Sequence, residues 1–471
     1  MTKSLGVADR IFLLQESPRT PQHVAGLACF TMPDDAPPDY LERLVEEFRS
    51  ARNFASPFDL ALRHASLRAV APSFVQLAPD QVDLDHHFRH SALPQPGGER
   101  QLGELVSRLH SQPMDLSRPL WEVHLIEGLT DRRFAIYIKL HHSLFDGVAG
   151  ARLMARMLSA DPTDLTVRPP WTIGRRGSLR VTGDDPQPTP ARHLVTTVRG
   201  LTKRTGLMLR ESVRPSTPDL ATPYRIPDLA LNGRVGKQRR VATQVVDFER
   251  VRDVADRADV TINDVFLGIC AAGLRRYLDE LGSLPDTGLV AGTPISVRFG
   301  AGDNANNAFT IASMNLWTDL ADPVERLKAI HRSSTATKES MEGLTKQAAI
   351  SFGALSFAPY VAQGLTGLGG RLKPPFNLVV SNVPGPLEQQ HLAGSALESM
   401  APLGVLSHGQ GLFIAAFTIS GRMSIGFVGD RDRLPHLQRL AVHTGEALDE
   451  LEKVLAPEGG RRPRAQRAPK Q

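Results

Sequence analysis

The chain holds 471 residues, with 55 Lys and Arg against 50 Asp and Glu, a formal net charge of +5. At roughly 150 residues per domain this length predicts two or three domains with mass for a large core. A hydrophobic content of 41% with 22% charged residues excludes general disorder, and two cysteines, Cys29 and Cys270, exclude a disulfide framework or a thiolate metal cluster.

From the N-terminus, MTKSLGVADRIFLLQE sets Asp9 and Arg10 before a very short apolar run, so no secretory signal and a reducing, cytoplasmic setting are expected. Residues 1–160 alternate periodic helices with short strands. Pro37–Arg52 reads as a helix with Leu41, Leu44, Val45 and Phe48 on one face. Further on, Phe134, Ile136, Ile138, Leu140 and His142 alternate with Ala135, Tyr137, Lys139 and His141, the pattern of a strand whose more apolar face ends in His142. Asp146-Gly147 reads as a turn before a helix over Val148–Leu158.

Residues 161–240 form a linker broken by prolines from Pro169 to Pro227, with 15 Lys and Arg against 7 Asp and Glu. Within it, Ala191–Arg214 reads as a basic amphipathic helix: Leu194, Val198, Leu201 and Met208 keep helical spacing beside Arg199, Lys203, Arg204 and Arg210. Such a helix either lies in a membrane interface or packs its apolar face on the protein. Residues 241–456 return to mixed strand and helix. Thr261 is placed to cap a helix over Ile262–Leu281, with Asp264 three residues on. The span Gln347–Gly370 carries no charge, yet Gln347, Pro359 and Gln363 argue for a core or an apolar site wall rather than a bilayer span. A strand over Phe376–Ser381 precedes the rigid loop Pro384-Gly385-Pro386. The tail 457–471, rich in Pro, Gly and Arg, predicts disorder. Nucleic acid is not an expected partner, because Cys–His fingers are missing and the few aromatics do not interleave with the basic residues.

The strongest chemical signal is KLHHSLFDGVAG, Lys139–Gly150. A histidine at the end of a buried strand face can serve as a neutral general base. A metal site is unfavourable, because adjacent strand residues point to opposite faces, and Ser143 lacks the G-x-S-x-G elbow of a serine nucleophile. From residue types alone, a hydrogen-bonded core histidine competes with the catalytic reading.

HHSLFDG resembles the HHxxxDG signature of acyl-thioester-dependent acyltransferases. In order along the chain, PQHVAGL (Pro21–Leu27), SRPLWEVHLIEGL (Ser117–Leu129), TINDVFLG (Thr261–Gly268), GTPISVR (Gly292–Arg298), SNVPGP (Ser381–Pro386) and GDRDRLP (Gly429–Pro435) resemble the bacterial wax ester synthase/diacylglycerol acyltransferase family. The stretch Gly302–Ala312 matches the family loosely, and His436 stands where the family usually has an acid. The resemblance implies an α/β fold of two chloramphenicol-acetyltransferase-like sandwich domains joined by a crossing linker, with the site at their interface. It implies transfer of a fatty acyl group from acyl-CoA, a co-substrate, to diacylglycerol or a fatty alcohol, with no cofactor, metal or acyl-enzyme. His142 is then the base, with His141 beside it; Asp146 pairs with Arg298 to shape the site next to Gly147. For Asn263 and Asp264 the capping position makes a structural role at least as expected as a catalytic one, and Ser381 and Asn382 are candidate oxyanion or substrate contacts. Water-insoluble acceptors imply peripheral association with an inner membrane or lipid inclusions. The alternatives are an enzyme that draws its acyl group from a carrier protein, and a non-catalytic lipid-surface binding protein.

Overall fold

Alternating β-branched and aromatic residues set the strands of this chain, and long amphipathic helices cover them. The computed structural model describes residues 2–4, 7–65, 73–175, 218–297, 308–341, 357–364 and 366–456. Among them run fifteen strands: β1 Thr2–Ser4, β2 His23–Thr31, β3 Leu60–Leu62, β4 Ser73–Gln76, β5 Phe88–Ala92, β6 Trp121–Leu129, β7 Arg133–His141, β8 Arg239–Asp247, β9 Val290–Val297, β10 Ala308–Asn315, β11 Leu378–Pro384, β12 His391–Leu392, β13 Ser395–Leu403, β14 Leu412–Ile419 and β15 Arg422–Asp430. The first large sheet has the order β12-β13-β2-β7-β6-β5 and the second β10-β9-β11-β14-β15-β8, beside a small sheet β1-β4-β3.

The mixed α/β architecture agrees with expectation, but the sheets do not coincide with the chain blocks 1–160 and 241–456. β12 and β13 come from the C-terminal block yet belong to the first sheet, where β13 pairs antiparallel with β2 over Ala396↔Thr31 to Leu403↔Ala25. Edge strand β8 is in turn held by the other half: its Arg239 and Val241 N–H groups donate to Ser111 and Ser107 Oγ on the helix Glu99–Ser111, at 2.8 and 2.9 Å. Covering an edge this way removes a row of unpaired donors that would otherwise recruit another chain.

Each half has its own core. In the first, Trp121, Trp171, Phe48 and Phe88 pack as neighbouring rings, each burial worth about 1.5–3 kcal/mol. Trp171 is fully buried and its Nε1 donates to the Ala51 carbonyl at 2.7 Å, so this end of the expected linker is part of the first core. The helix Tyr40–Ser50 buries Leu44, Val45 and Phe48 as its spacing predicts. The helix Ile262–Glu280 supplies the second core and carries the expected capping box between Thr261 and Asp264. A third cluster joins the halves, combining Leu102, Val106 and Tyr137 with Val235, Val241, Leu403 and Val428.

Three local expectations need correction. β7 ends at His141, one residue early, because His142 enters the turn. Its second face is buried too, since Tyr137 and Lys139 lie under the helix Glu99–Ser111. β11 starts at Leu378 rather than Phe376 and runs to Pro384, paired in parallel with β14, so Pro384 ends a strand rather than opening the loop. The expected helix Ala191–Arg214 and tail 457–471 lie outside the described residues, as does part of Gln347–Gly370, whose residues 357–364 are helical. Among the described residues no helix is long and apolar enough to cross a membrane.

Candidate active site

The end of β7 is fixed from three directions. β2 and β6 flank it, with His23 opposite His141 and Trp121 opposite Leu140. The His142 N–H donates to the Gln22 carbonyl at 2.8 Å, and the His141 N–H to the Leu120 carbonyl at 3.1 Å. After the turn, Asp146 caps the helix Gly147–Arg156 by accepting the Ala149 N–H at 2.7 Å, a contact typically worth about 1 kcal/mol.

The two histidines then diverge. His141 is buried, and its Nδ1 accepts the Ser143 N–H at 3.1 Å with the Ser143 hydroxyl at 2.7 Å. That leaves the ring proton on Nε2, which faces Glu16 Oε2 at 3.4 Å. Glu16 also accepts the Gln22 N–H at 2.5 Å, so one carboxylate braces both His141 and the residue that holds His142. His142 is only partly buried, and Phe12 stacks on it with centroids 3.9 Å apart and planes 15° off parallel. Burial lowers the His142 pKa from its ordinary value to about 4. A hydrogen bond to its own main chain and the Asp146 carboxylate pull upward, while His141 adds to the lowering. The ring is therefore neutral at physiological pH, the form a general base requires.

Neutrality alone does not identify a base here. Burial also lowers His110 to about 3 and His87 to about 4, and holds His23 well below the usual range. Those rings are tied into the fold: His110 Nδ1 meets the Tyr137 hydroxyl at 2.9 Å, and His87 Nδ1 the Trp121 carbonyl at 2.8 Å. Partial exposure and position distinguish His142.

Beside the motif an apolar cleft opens between the two sheets. Val24, Gly26, Ile138 and Leu140 wall it on one side, Ser381, Val383, Phe413 and Phe417 on the other, and Gly147, Gly150 and Met154 along the helix. Its free volume is about 70 Å³, a narrow slot. Two glycines permit its close walls: a Cβ at Gly26 would sit 2.1 Å from Met154 Sδ, and one at Gly404 2.2 Å from the Phe413 ring.

The expected residues are only partly assembled. His141, His142, Asp146 and Gly147 gather at the motif, and Ser381 reaches the cleft wall across from them. Asn382 follows on the opposite strand face, with Oδ1 buried and without a hydrogen-bond partner among the described residues. Arg298 lies outside the described residues; among the described residues a cation beside Asp146 is Arg175, Nη2 to Oδ2 at 3.5 Å. Asp146 is exposed, not the buried half of an ion pair, because it stands at a helix N-terminus on the surface. Asp264 is fully buried in the second half, where Thr261 and His331 Nδ1, at 2.8 Å, bond its carboxylate. Half-buried Asn263 shares that helix start. Sequence reasoning did not find Phe12, Glu16 or Arg175. Phe12 sits in an ordinary apolar run and Glu16 just past the end of its helix, and only tertiary contact distinguishes them.

Two family models match the chain: the wax ester synthase/diacylglycerol acyltransferase catalytic domain over residues 5–266, and the C-terminal domain of the same family over residues 305–452. A Mycobacterium tuberculosis protein bearing a diacylglycerol O-acyltransferase name is 41% identical over 487 residues, covering 95% of this chain and 97% of its own. The O-acyltransferase WSD of Acinetobacter baylyi is 34% identical over 457 residues, covering 95% and 96%. Among solved structures, the wax ester synthase/diacylglycerol acyltransferase of Marinobacter aquaeolei VT8 aligns with a TM-score of 0.78 at 33% identity, over 97% of this chain and all of its own. The first condensation domain of the calcium-dependent antibiotic synthetase aligns at TM-score 0.54 and 16% identity over 97% of both chains, a likeness of fold alone.

Proposed function

The chain belongs to the wax ester synthase/diacylglycerol acyltransferase family, and on that premise we propose that His142 is the base with which it makes esters. The enzyme is an O-acyltransferase that moves a fatty acyl group from acyl-CoA to the hydroxyl of diacylglycerol or a long-chain alcohol. The observation that carries the role of His142 is its setting: a neutral, half-exposed imidazole stacked by Phe12, on a backbone whose N–H is held by the Gln22 carbonyl, beside an apolar cleft between the sheets.

The chemistry follows from that setting. Neutral His142 takes the proton of the acceptor hydroxyl as its oxygen attacks the thioester carbonyl. A tetrahedral oxyanion forms, and the Ser381 hydroxyl on the facing wall is the candidate donor to it. Collapse breaks the carbon–sulfur bond, and the imidazolium returns the proton to the CoA thiolate. Attack is direct, without an acyl-enzyme. His141 and Glu16 hold the turn, and Asp146, Gly147 and Arg175 start the helix that forms one wall. Asn263 and Asp264 secure the second half. The acceptor enters from a membrane or inclusion surface, to which the basic residues of 191–214 bind peripherally, each contributing about 1 kcal/mol near an anionic surface.

CoA release by the purified protein, with diacylglycerol and hexadecanol offered in parallel, tests this reading. Release dependent on either acceptor supports it; hydrolysis without ester, or no release, contradicts it.

A further inference from the structure

A cluster of cations lies along the loop that braces the two histidines. Arg19 is exposed in the turn closed by the Ser17–Thr20 bridge, three residues after Glu16 and three before Gln22, within about 11 Å of either along the chain. Its carbonyl accepts Arg239 Nη2 at 2.5 Å. The motif GDRDRLP closes the other side. Its Asp430, nearly fully buried, accepts the N–H groups of Gly236, Asp432 and Arg433. That carboxylate is thus spent inside the loop, and Arg431 is left exposed.

The neighbouring guanidinium groups of Arg433 and Arg234 bond carbonyls, which accept hydrogen bonds without bringing a countercharge. Arg433 Nε donates to the Arg234 carbonyl at 2.6 Å and Nη1 to that of Ala230 at 2.9 Å, and Arg234 Nη1 to that of Gly367 at 3.1 Å. Lys237 is exposed beside them. Among the described residues the cluster's ion pair is Arg431 with Asp432, at 3.4 Å. Half-buried His408 reports the resulting field: its pKa is lowered by burial first, and then by Arg234, Arg19, Arg239 and Arg433 together. Two residues on, the buried Gln410 Nε2 has no partner among the described residues. Four residues before His408, Gly404 lines the apolar cleft.

We propose that this rim of Arg19, Arg234, Lys237, Arg431 and Arg433 docks the phosphates of the acyl donor's nucleotide, while its thioester arm extends along the loop 16–22 toward His142. The proposal rests on acyl-CoA being the donor. CoA carries a diphosphate and a 3′-phosphate, and guanidinium groups suit phosphate oxygens in a fork geometry that also steers encounter. GDRDRLP thereby gains a role: Asp430 folds the loop and the two arginines face the ligand.

The test compares wild type with Arg19→Glu/Lys237→Glu, two exposed positions whose side chains support no fold contact given above. Two thioesters are offered with one acceptor: palmitoyl-CoA and palmitoyl-N-acetylcysteamine, which lacks the nucleotide. The ratio of kcat/KM for the CoA donor to that for the truncated donor should fall about tenfold or more, through KM and more strongly at low salt. An equal loss with both donors, or an unchanged ratio, overturns the proposal. A fall in flotation with anionic phosphatidylglycerol vesicles at an unchanged donor ratio also overturns it and assigns the rim to a lipid surface. Titration with free CoA decides the matter independently of turnover: a tenfold weaker Kd in the variant supports the rim and an equal Kd refutes it. Wild-type protein that turns over neither thioester would instead remove the acyl-transfer reading, leaving the titration to judge the rim.

Discussion

The two faces of β7 carry similar residue types to opposite ends. On one face Lys139 and His141 are buried and spoken for: Lys139 Nζ meets Glu122 at 3.1 Å and the carbonyls of Gln112 and Leu109 at 2.9 and 3.3 Å, while His141 bonds Ser143 and faces Glu16. On the other, Leu140 borders the cleft, and His142, one residue past the strand, is half-exposed with an aromatic ring on its face, its backbone N–H held by Gln22 and its ring bonded to its own main chain. Burying an imidazole against protein groups makes it structure; leaving it neutral and reachable makes it reactive. Adjacent positions achieve both because strand side chains alternate and β7 is covered on both sides.

The contrast can be broken first at Lys139. Removing one member of a buried ion pair leaves the other charge unpaired, at a cost of about 3–5 kcal/mol. Lys139→Met should lower the denaturation midpoint by that equivalent, with kcat per folded molecule retained; a stable but inactive variant would put chemistry on the wrong face. Phe12 sharpens the other face. General-base catalysis needs neutral His142, so activity falls as pH drops through a pKa near 4. In Phe12→Ala the ring is better hydrated, and the acid limb of kcat/KM should move up toward the ordinary 6.5. An unmoved limb with a changed KM would make Phe12 a substrate contact instead. Smaller still is Asp146→Ala, which loses a cap and an exposed contact with Arg175, about 1 kcal/mol by thermal melting. A loss of several kcal/mol would restore the buried ion pair that the sequence implied.

Much of this site could be read from residues alone. The alternation of β7, the Asp146 turn and the Thr261–Asp264 capping box are local patterns, and local physics set them. What escaped was long-range. Nothing in the period of Ser395–Leu403 says that it pairs with β2 across some 370 residues, since a strand's distant partner is chosen by the tertiary fold. Lys139 read as a residue of the less apolar face, yet its register partner on β6 is Glu122, which turns an outward charge into a buried pair. The same limit hid Phe12, an ordinary helix residue, and Glu16, just past that helix, until the fold sets them against the histidines.

Turnover in folded His142→Ala and His141→Ala proteins, measured side by side as CoA release at pH 7 with matched circular dichroism and melting curves, tests the central claim most directly. The account predicts that His142→Ala loses about 10²–10⁴-fold in kcat with its melting curve retained. His141→Ala should show the reverse balance, a milder loss of rate with a lower melting temperature because Glu16 is left facing an empty site. A folded His142→Ala enzyme turning over near the wild-type rate would contradict it.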